Sequence, residues 1–215
     1  MLDLNAKTEF DHLDAEQLAS VCRDCQRCGL AQHRTQVVVG HGVIPADVMV
    51  IGEGPGEQED LKGIPFVGRS GQLLTKIFES AGLDRDKDLF ITNTVKCRPP
   101  QNRTPVSEEI EACRDYLIRQ LQLIKPKVLL LVGAPALKTI LGDTPSISKV
   151  RGQWVTMDVD YMESPLYVMP IFHPSYLLRQ SSKEKGSPKW LTWQDMLEVK
   201  SALTFYRTSV AEAQS

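Results

Sequence analysis

The chain has 215 residues, 42% hydrophobic and 24% charged, with 14 Gly and 13 Pro. This is ordinary globular composition and excludes collagen-like, low-complexity and disordered chains. The formal net charge of −2 excludes a strongly basic nucleic-acid coat but not a local basic groove.

No run approaches the roughly 20 apolar residues that span a bilayer, so no membrane association is expected. Residues 1–13 are polar and acidic, unlike a secretory leader. That predicts a cytoplasmic protein whose five cysteines are thiols or metal ligands rather than disulfides. Residues 1–13 and 207–215 read as loose tails on a single domain, and a monomer is expected. A chain this long buries roughly 70% of its unfolded surface, so it needs no cross-link to hold a core.

In chain order, residues 14–24 read as a short helix leading into clustered cysteines, and 47–51 as a strand feeding the Gly-rich loop 52–56. Leu73, Leu74, Ile77 and Phe78 recur at helical spacing within 70–81, with Gly82 as the stop. Residues 89–95 form the next strand. Residues 107–124 form an amphipathic helix opened by Ser107, Glu108 and Glu109 and closed by Pro126. A continuous apolar strand follows at 127–132, a short helix at 134–141 and a strand at 166–171. The last helix spans 188–206, with Trp190, Trp193, Leu197 and Leu203 as its core face. Alternating strands and helices predict an α/β fold with a mostly parallel sheet covered on both faces. In such sheets ligands bind at the carboxyl ends of the strands. The unusual segments 52–56, 93–98 and 173–179 all fall there.

Cys22, Cys25 and Cys28 form C-x2-C-x2-C, Cys97 lies 69 residues beyond Cys28, and Cys113 lies 16 beyond Cys97. Four thiolates in this pattern suit zinc or a [4Fe–4S] cluster. Cys97 and Cys113 are too far apart for a second zinc knuckle, which favours the cluster. Inert buried thiols are the plainer alternative. Three of the five cysteines within seven residues of a polar segment argue against it.

The Gly52-Glu53-Gly54-Pro55-Gly56 loop is a poor dinucleotide motif. Pro55 interrupts it, and Glu57, Glu59 and Asp60 are bad neighbours for a pyrophosphate. Three glycines exceed what a simple turn needs and suit close backbone approach to a flat ligand. Phe66, beside this loop, is either core or a platform for a planar ring.

At this point the residues match a known pattern. Gly52-Glu53-Gly54-Pro55-Gly56-Glu57-Gln58-Glu59-Asp60 with Gly63-Ile64-Pro65-Phe66-Val67-Gly68 resembles motif one of the family 4, iron–sulfur type uracil-DNA glycosylases. Ile91-Thr92-Asn93-Thr94-Val95-Lys96-Cys97-Arg98-Pro99-Pro100-Gln101-Asn102-Arg103 resembles the second signature. His173-Pro174-Ser175-Tyr176-Leu177-Leu178-Arg179 resembles the closing motif. Other subtypes of the superfamily carry Ala after the motif-one Glu, or a basic insertion, where this chain has Gly54 and neither. The resemblance covers about residues 20–205. It implies a three-layer α/β/α fold around a central four-stranded, mostly parallel sheet, a [4Fe–4S] cluster, and hydrolysis of the deoxyuridine N-glycosidic bond in uracil-containing DNA. The cluster ligands it implies are Cys25, Cys28, Cys97 and Cys113, leaving Cys22 spare.

The same resemblance assigns the chemistry. Phe66 stacks on the flipped uracil. One Asn93 amide matches uracil O4 and N3–H, a pattern that cytosine reverses. Backbone at Glu53 and Gly54 binds the uracil oxygens, and His173 stabilises charge developing on O2. Glu59 is expected in the pocket, excluding the thymine methyl, with Glu53 as the alternative polar contributor and Glu57 a solvated acid. Leu177 and Leu178 suit an apolar wedge. Lys96, Arg98, Arg103 and Arg179 are expected at phosphates, with Lys183, Lys185 and Lys189 continuing the basic strip. A non-catalytic metal-binding nucleic-acid module is the competing reading. It would not need Asn93, Phe66 and His173 together.

Overall fold

The computed structural model describes residues 1–213. Its elements are α1 (Ala15–Arg23), β1 (His41–Gly42), β2 (Val48–Gly52), α2 (Glu57–Lys62), α3 (Arg69–Ser80), β3 (Leu89–Asn93), α4 (Ser107–Ile124), β4 (Val128–Val132), α5 (Ala134–Leu141), α6 (Ile147–Val150), β5 (Val155–Met157), β6 (Leu166–Ile171), α7 (Pro174–Leu178) and α8 (Pro188–Ala213). The strands form one sheet in the order β1-β3-β2-β4-β6-β5. The four inner strands are parallel, with Gly52 opposite Asn93 at their carboxyl ends. The edge strands β1 and β5 are antiparallel. The sheet therefore has six strands rather than the expected four. The two additions are two and three residues long and lack the apolar run that marks the others.

Alternation along the strands divides the core into two layers. Val48, Val50, Leu89, Ile91, Leu130 and Met169 face Leu74 and Phe78 of α3 and Met196, Val199 and Leu203 of α8. Met49, Ile51, Phe90, Leu129, Leu131 and Val168 face Leu117, Leu121 and Ile124 of α4 and Leu137 and Ile140 of α5. Each such side chain contributes about 2 kcal/mol of burial. The buried stripe of α8 runs through Met196, Val199 and Leu203, so Trp193, expected on it, is 45% exposed instead.

Glu109 secures the start of α4 by accepting the Val106 N–H at 2.9 Å and both terminal nitrogens of Arg103. The Arg103 guanidinium holds its carboxyl below the usual range. Lys125 ends the helix in the left-handed region, immediately before Pro126.

Residues 1–13 are not a loose tail. Leu4 joins the α4/α5 layer, and Phe10 stacks on Tyr116 with ring centroids 4.5 Å apart. Two buried apolar anchors and the Arg119 bonds to the Leu13 carbonyl outweigh the polar composition. At the other end, α8 continues to Ala213 past the expected fraying point. Residues 214–215 of that expected tail lie outside the described residues. No helix among those described is long and apolar enough to cross a membrane.

Candidate active site

A cleft of about 350 Å³ opens at the carboxyl ends of β2, β3 and β6. It is lined by Glu53, Gly54, Glu59, Phe66, Asn93, Arg103, His173 and Ser175, among others. The sequence-predicted pocket residues from all three motifs meet here.

Phe66 has φ 53°, a left-handed conformation costly for an aromatic residue. Three features hold it. Arg85 donates to the Phe66 and Pro65 carbonyls, both at 2.9 Å. Glu59 Oε1 accepts the Val67 and Gly68 N–H groups, both at 2.8 Å. Gly71, in the first turn of α3, lets the helix backbone press on the loop, since a Cβ there would lie 2.0 Å from the Phe66 carbonyl carbon. On the pocket side, a Cβ at Gly52 would stand 2.4 Å from Asn93 Oδ1 and 2.5 Å from Phe66 Cζ. Gly52 thus lets the ring and the amide close on the end of β2.

Asn93 is the last residue of β3 and 2% exposed, and its Oδ1 has no hydrogen-bond partner. Glu53 Oε1 is also buried without a partner. Both residues line the cleft. Buried unpaired acceptors are costly and mark places where a ligand can supply the missing donor. The Glu53 carbonyl is already engaged by the Thr94 hydroxyl and the Val95 N–H, which fixes the motif-one loop to the exit of β3.

His173 caps α7 and accepts the Ser175 N–H on Nδ1 at 3.1 Å. That bond places the ring proton of the neutral imidazole on Nε2. Burial pushes its pKa down, Arg179 adds to this, and Glu59 opposes it. Its ring centroid lies 6.2 Å from that of Phe66.

The acids separate by environment. Glu57 is exposed, and Asp60 is buried and accepts the Thr35 N–H. Glu59 lines the cleft, but Oε1 is committed to the Phe66 loop. Glu53 keeps an uncommitted oxygen.

The five cysteines share one apolar pocket with Phe10, Leu18, Leu30, Val95 and Tyr116. Burial pushes the Cys22 thiol up to about 12 and that of Cys113 up to about 11. Cys97 is raised by burial against the pull of Arg34, whose Nη1 donates to its sulfur at 3.2 Å. Arg34 Nη2 also donates to the Cys25 carbonyl at 2.7 Å. A soft, cationic group is what such a thiol set accommodates, since it offsets the cost of buried thiolates. Among the described residues, no three His, Cys, Asp or Glu side chains are already arranged as a metal site.

The uracil DNA glycosylase superfamily profile matches residues 39–197. The chain is 47% identical over 163 residues to the Type-4 uracil-DNA glycosylase of Thermotoga maritima, covering 75% of this chain and 82% of the relative. It is 43% identical over 175 residues to that of Sulfurisphaera tokodaii, covering 79% and 78%. It is 40% identical over 200 residues to that of Saccharolobus solfataricus, covering 91% and 88%. The chain belongs to the type-4 uracil-DNA glycosylases.

Around the mouth of this type-4 pocket, the expected DNA contacts divide. Lys96 is not among them. It is 1% exposed and its Nζ bonds inside the protein, because the chain after β3 turns inward to bring Cys97 to the cysteine pocket. Leu177 is not a wedge either. It is 1% exposed, whereas its neighbour Leu178 is 41% exposed, since α7 presents one leucine to the core and the next to solvent. Arg179 is exposed and lines a second cleft that shares Glu53, His173 and Ser175 with the first. Arg98 donates to Asn102 Oδ1 and lies 3.8 Å from Glu57. Arg103 stays partly exposed beside Glu109 at the cleft wall. Lys183 and Lys185 are exposed and Lys189 half-buried. Arg85 is the site residue that the motif reading missed. Gly52 was read as part of the Gly-rich loop, but its approach to Asn93 and Phe66 shows only in the fold. Arg85 carries no local signal, because it reaches the Phe66 loop only through the fold.

Proposed function

We propose that this single-domain chain removes uracil from DNA by hydrolysing the N-glycosidic bond, releasing free uracil and leaving an abasic site. The observation that carries the proposal is the unpaired, buried Oδ1 of Asn93 in the wall of a cleft shared with Phe66 and His173. Uracil supplies the missing donor from N3–H and accepts from the same amide at O4. Phe66 stacks on the flipped ring, whose extraction from the helix costs a few kcal/mol. As the bond from C1′ to N1 breaks, its electron pair passes into the uracil ring. The Nε2–H of His173 stabilises the charge that collects on O2. Water adds to C1′, and the proton it loses passes through solvent to N1 of the uracil anion, which leaves as neutral uracil. Glu53, with its uncommitted oxygen at the seam of two clefts, is the carboxylate placed to hold that water. Glu59 acts through the loop that presents Phe66. Leu178 fills the vacated stack, and Arg98, Arg103 and Arg179 meet phosphates.

We further propose that Cys25, Cys28, Cys97 and Cys113 hold a [4Fe–4S] cluster, with Cys22 spare. The shared pocket and the Arg34 bonds to Cys97 and Cys25 support this. Bound there, the cluster supplies a structural tie between the segment after α1, the exit of β3 and the start of α4. The same proposal takes the enzyme to be a cytoplasmic monomer, in a compartment that keeps unligated Cys22 as a thiol.

Incubation with an oligonucleotide containing one uracil, followed by alkali, tests the reaction. Cleavage at U, and none at T or C in matched strands, is expected. A folded, iron-loaded sample that leaves the U strand intact would turn the reading to the binding module. Iron analysis of the same sample should give roughly four irons per chain.

A further inference from the structure

Lys96 Nζ donates at 2.7 Å to each of three acceptors: Thr92 Oγ1, the Asn93 carbonyl and Gln120 Oε1. An ammonium has three protons, so its donors are fully used. The acceptors are themselves tied together, since Thr92 Oγ1 and Gln120 Nε2 both donate to the Val39 carbonyl, at 2.8 and 2.9 Å. The network thus fixes the end of β3 to α4 and to the segment before β1. The ionisable groups that act on the ammonium are the thiols of Cys22, Cys113 and Cys97. Lys96 therefore stands in the wall between the cysteine pocket and the base-reading residue.

We infer that Lys96 is a positioning residue for uracil recognition, pinning the Asn93 carbonyl against the cysteine-pocket wall so that the Asn93 amide meets the base. This rests on the proposed uracil excision. No hydrogen bond within the protein holds Asn93 Oδ1, so the amide's place rests on its packing beside Gly52 and Phe66 and on its backbone, whose carbonyl Lys96 bonds. Glutamine at position 96 keeps an amide donor for the Asn93 carbonyl, while methionine fills similar space with none.

The test compares Lys96→Met and Lys96→Gln in the full, iron-loaded chain. Iron content, kcat and KM for uracil release, and affinity for abasic-site DNA are measured in each. In the Met variant, kcat should fall about 100-fold, as for a reacting group displaced by an ångström or so. KM and abasic-DNA affinity should hold, because phosphate contacts lie elsewhere, and Gln should recover most of the loss. Wild-type kcat in an iron-loaded Met variant overturns the inference. So does an equal loss in both variants that tracks loss of iron, which would make Lys96 only a part of the cysteine pocket. If the Met variant does not fold, Gln120→Met removes the α4 anchor from a distance. A kcat fall at unchanged KM then supports the inference, and an unchanged kcat overturns it. An inactive wild type would instead refute the uracil reading itself.

Discussion

Glu59 Oε1 accepts the N–H of Val67 at 2.8 Å from eight residues back in the chain. With the same bond to Gly68, one carboxylate oxygen holds the loop whose Phe66 sits in the left-handed region. Charged acceptors make the stronger hydrogen bonds. Glu59→Ala should lower stability by on the order of 2 kcal/mol. It should also lower kcat/KM for uracil release about tenfold or more as the ring loses its place. Glu59→Gln keeps an acceptor oxygen and should fall between. A Gln variant as damaged as Ala would mean that the charge, rather than the loop, is what matters.

Asn93→Ala separates reading from folding. Its Oδ1 makes no bond within the protein, so truncation leaves no native partner stranded. Thermal stability should change little, while uracil release should fall at least about 100-fold, the usual cost of one well-placed group in a buried site. Release as fast as wild type would place the pocket elsewhere.

The parallel core of the fold was legible because strands such as 128–132 are continuous apolar runs and their connecting helices carry 3.6-residue spacing. The edge strands were not, since His41–Gly42 and Val155–Met157 pair only because longer strands are already there. The pocket residues Asn93 and His173 were visible as motif residues at strand ends, and Phe66 as a motif residue beyond the Gly-rich loop. Lys96 and Leu177 were misplaced, because sequence shows that a lysine or leucine is near a site but not which way the chain turns. Leu177 sits one residue from the exposed Leu178 and Lys96 three from the cleft residue Asn93, and both point the other way.

Gly52 tests the close approach at the end of β2. Its φ lies outside the left-handed region, so alanine is not excluded by backbone conformation. The obstacle is contact, because an alanine methyl there would stand 2.4 Å from Asn93 Oδ1 and 2.5 Å from Phe66 Cζ. Gly52→Ala should fold, at a cost of about 1–3 kcal/mol for overpacking, and lose most uracil release. Full activity at native stability would show that the ring and amide can retreat without consequence.

Leu177 and Leu178 should behave oppositely. Leu177→Ala empties a buried site and should cost about 2–5 kcal/mol, read as a lower melting temperature. Leu178→Ala should leave the melting temperature unchanged. It should slow release from duplex DNA more than from single strands, since only a duplex leaves a gap for a wedge. Equal slowing on both substrates would remove Leu178 from the wedge role.

His173 gives the pH dependence. Burial depresses its pKa below the ordinary 6.5, and the Ser175 N–H occupies Nδ1, so protonation must break that bond. The neutral form with Nε2–H should therefore persist below pH 6.5, and the acid limb of kcat should lie below that value. The sign for stability follows from proton uptake. Between the folded and unfolded pKa values the unfolded chain binds the extra proton, so stability falls as pH drops below 6.5 and levels off under the folded pKa. Replacing His173 with Asn should remove this part of the slope while leaving stability at pH 8 nearly unchanged. Unfolding curves at pH 8, 6.5 and 5 for both proteins check it. Parallel slopes would mean that burial does not depress the His173 pKa and that the acid limb of kcat belongs to another group.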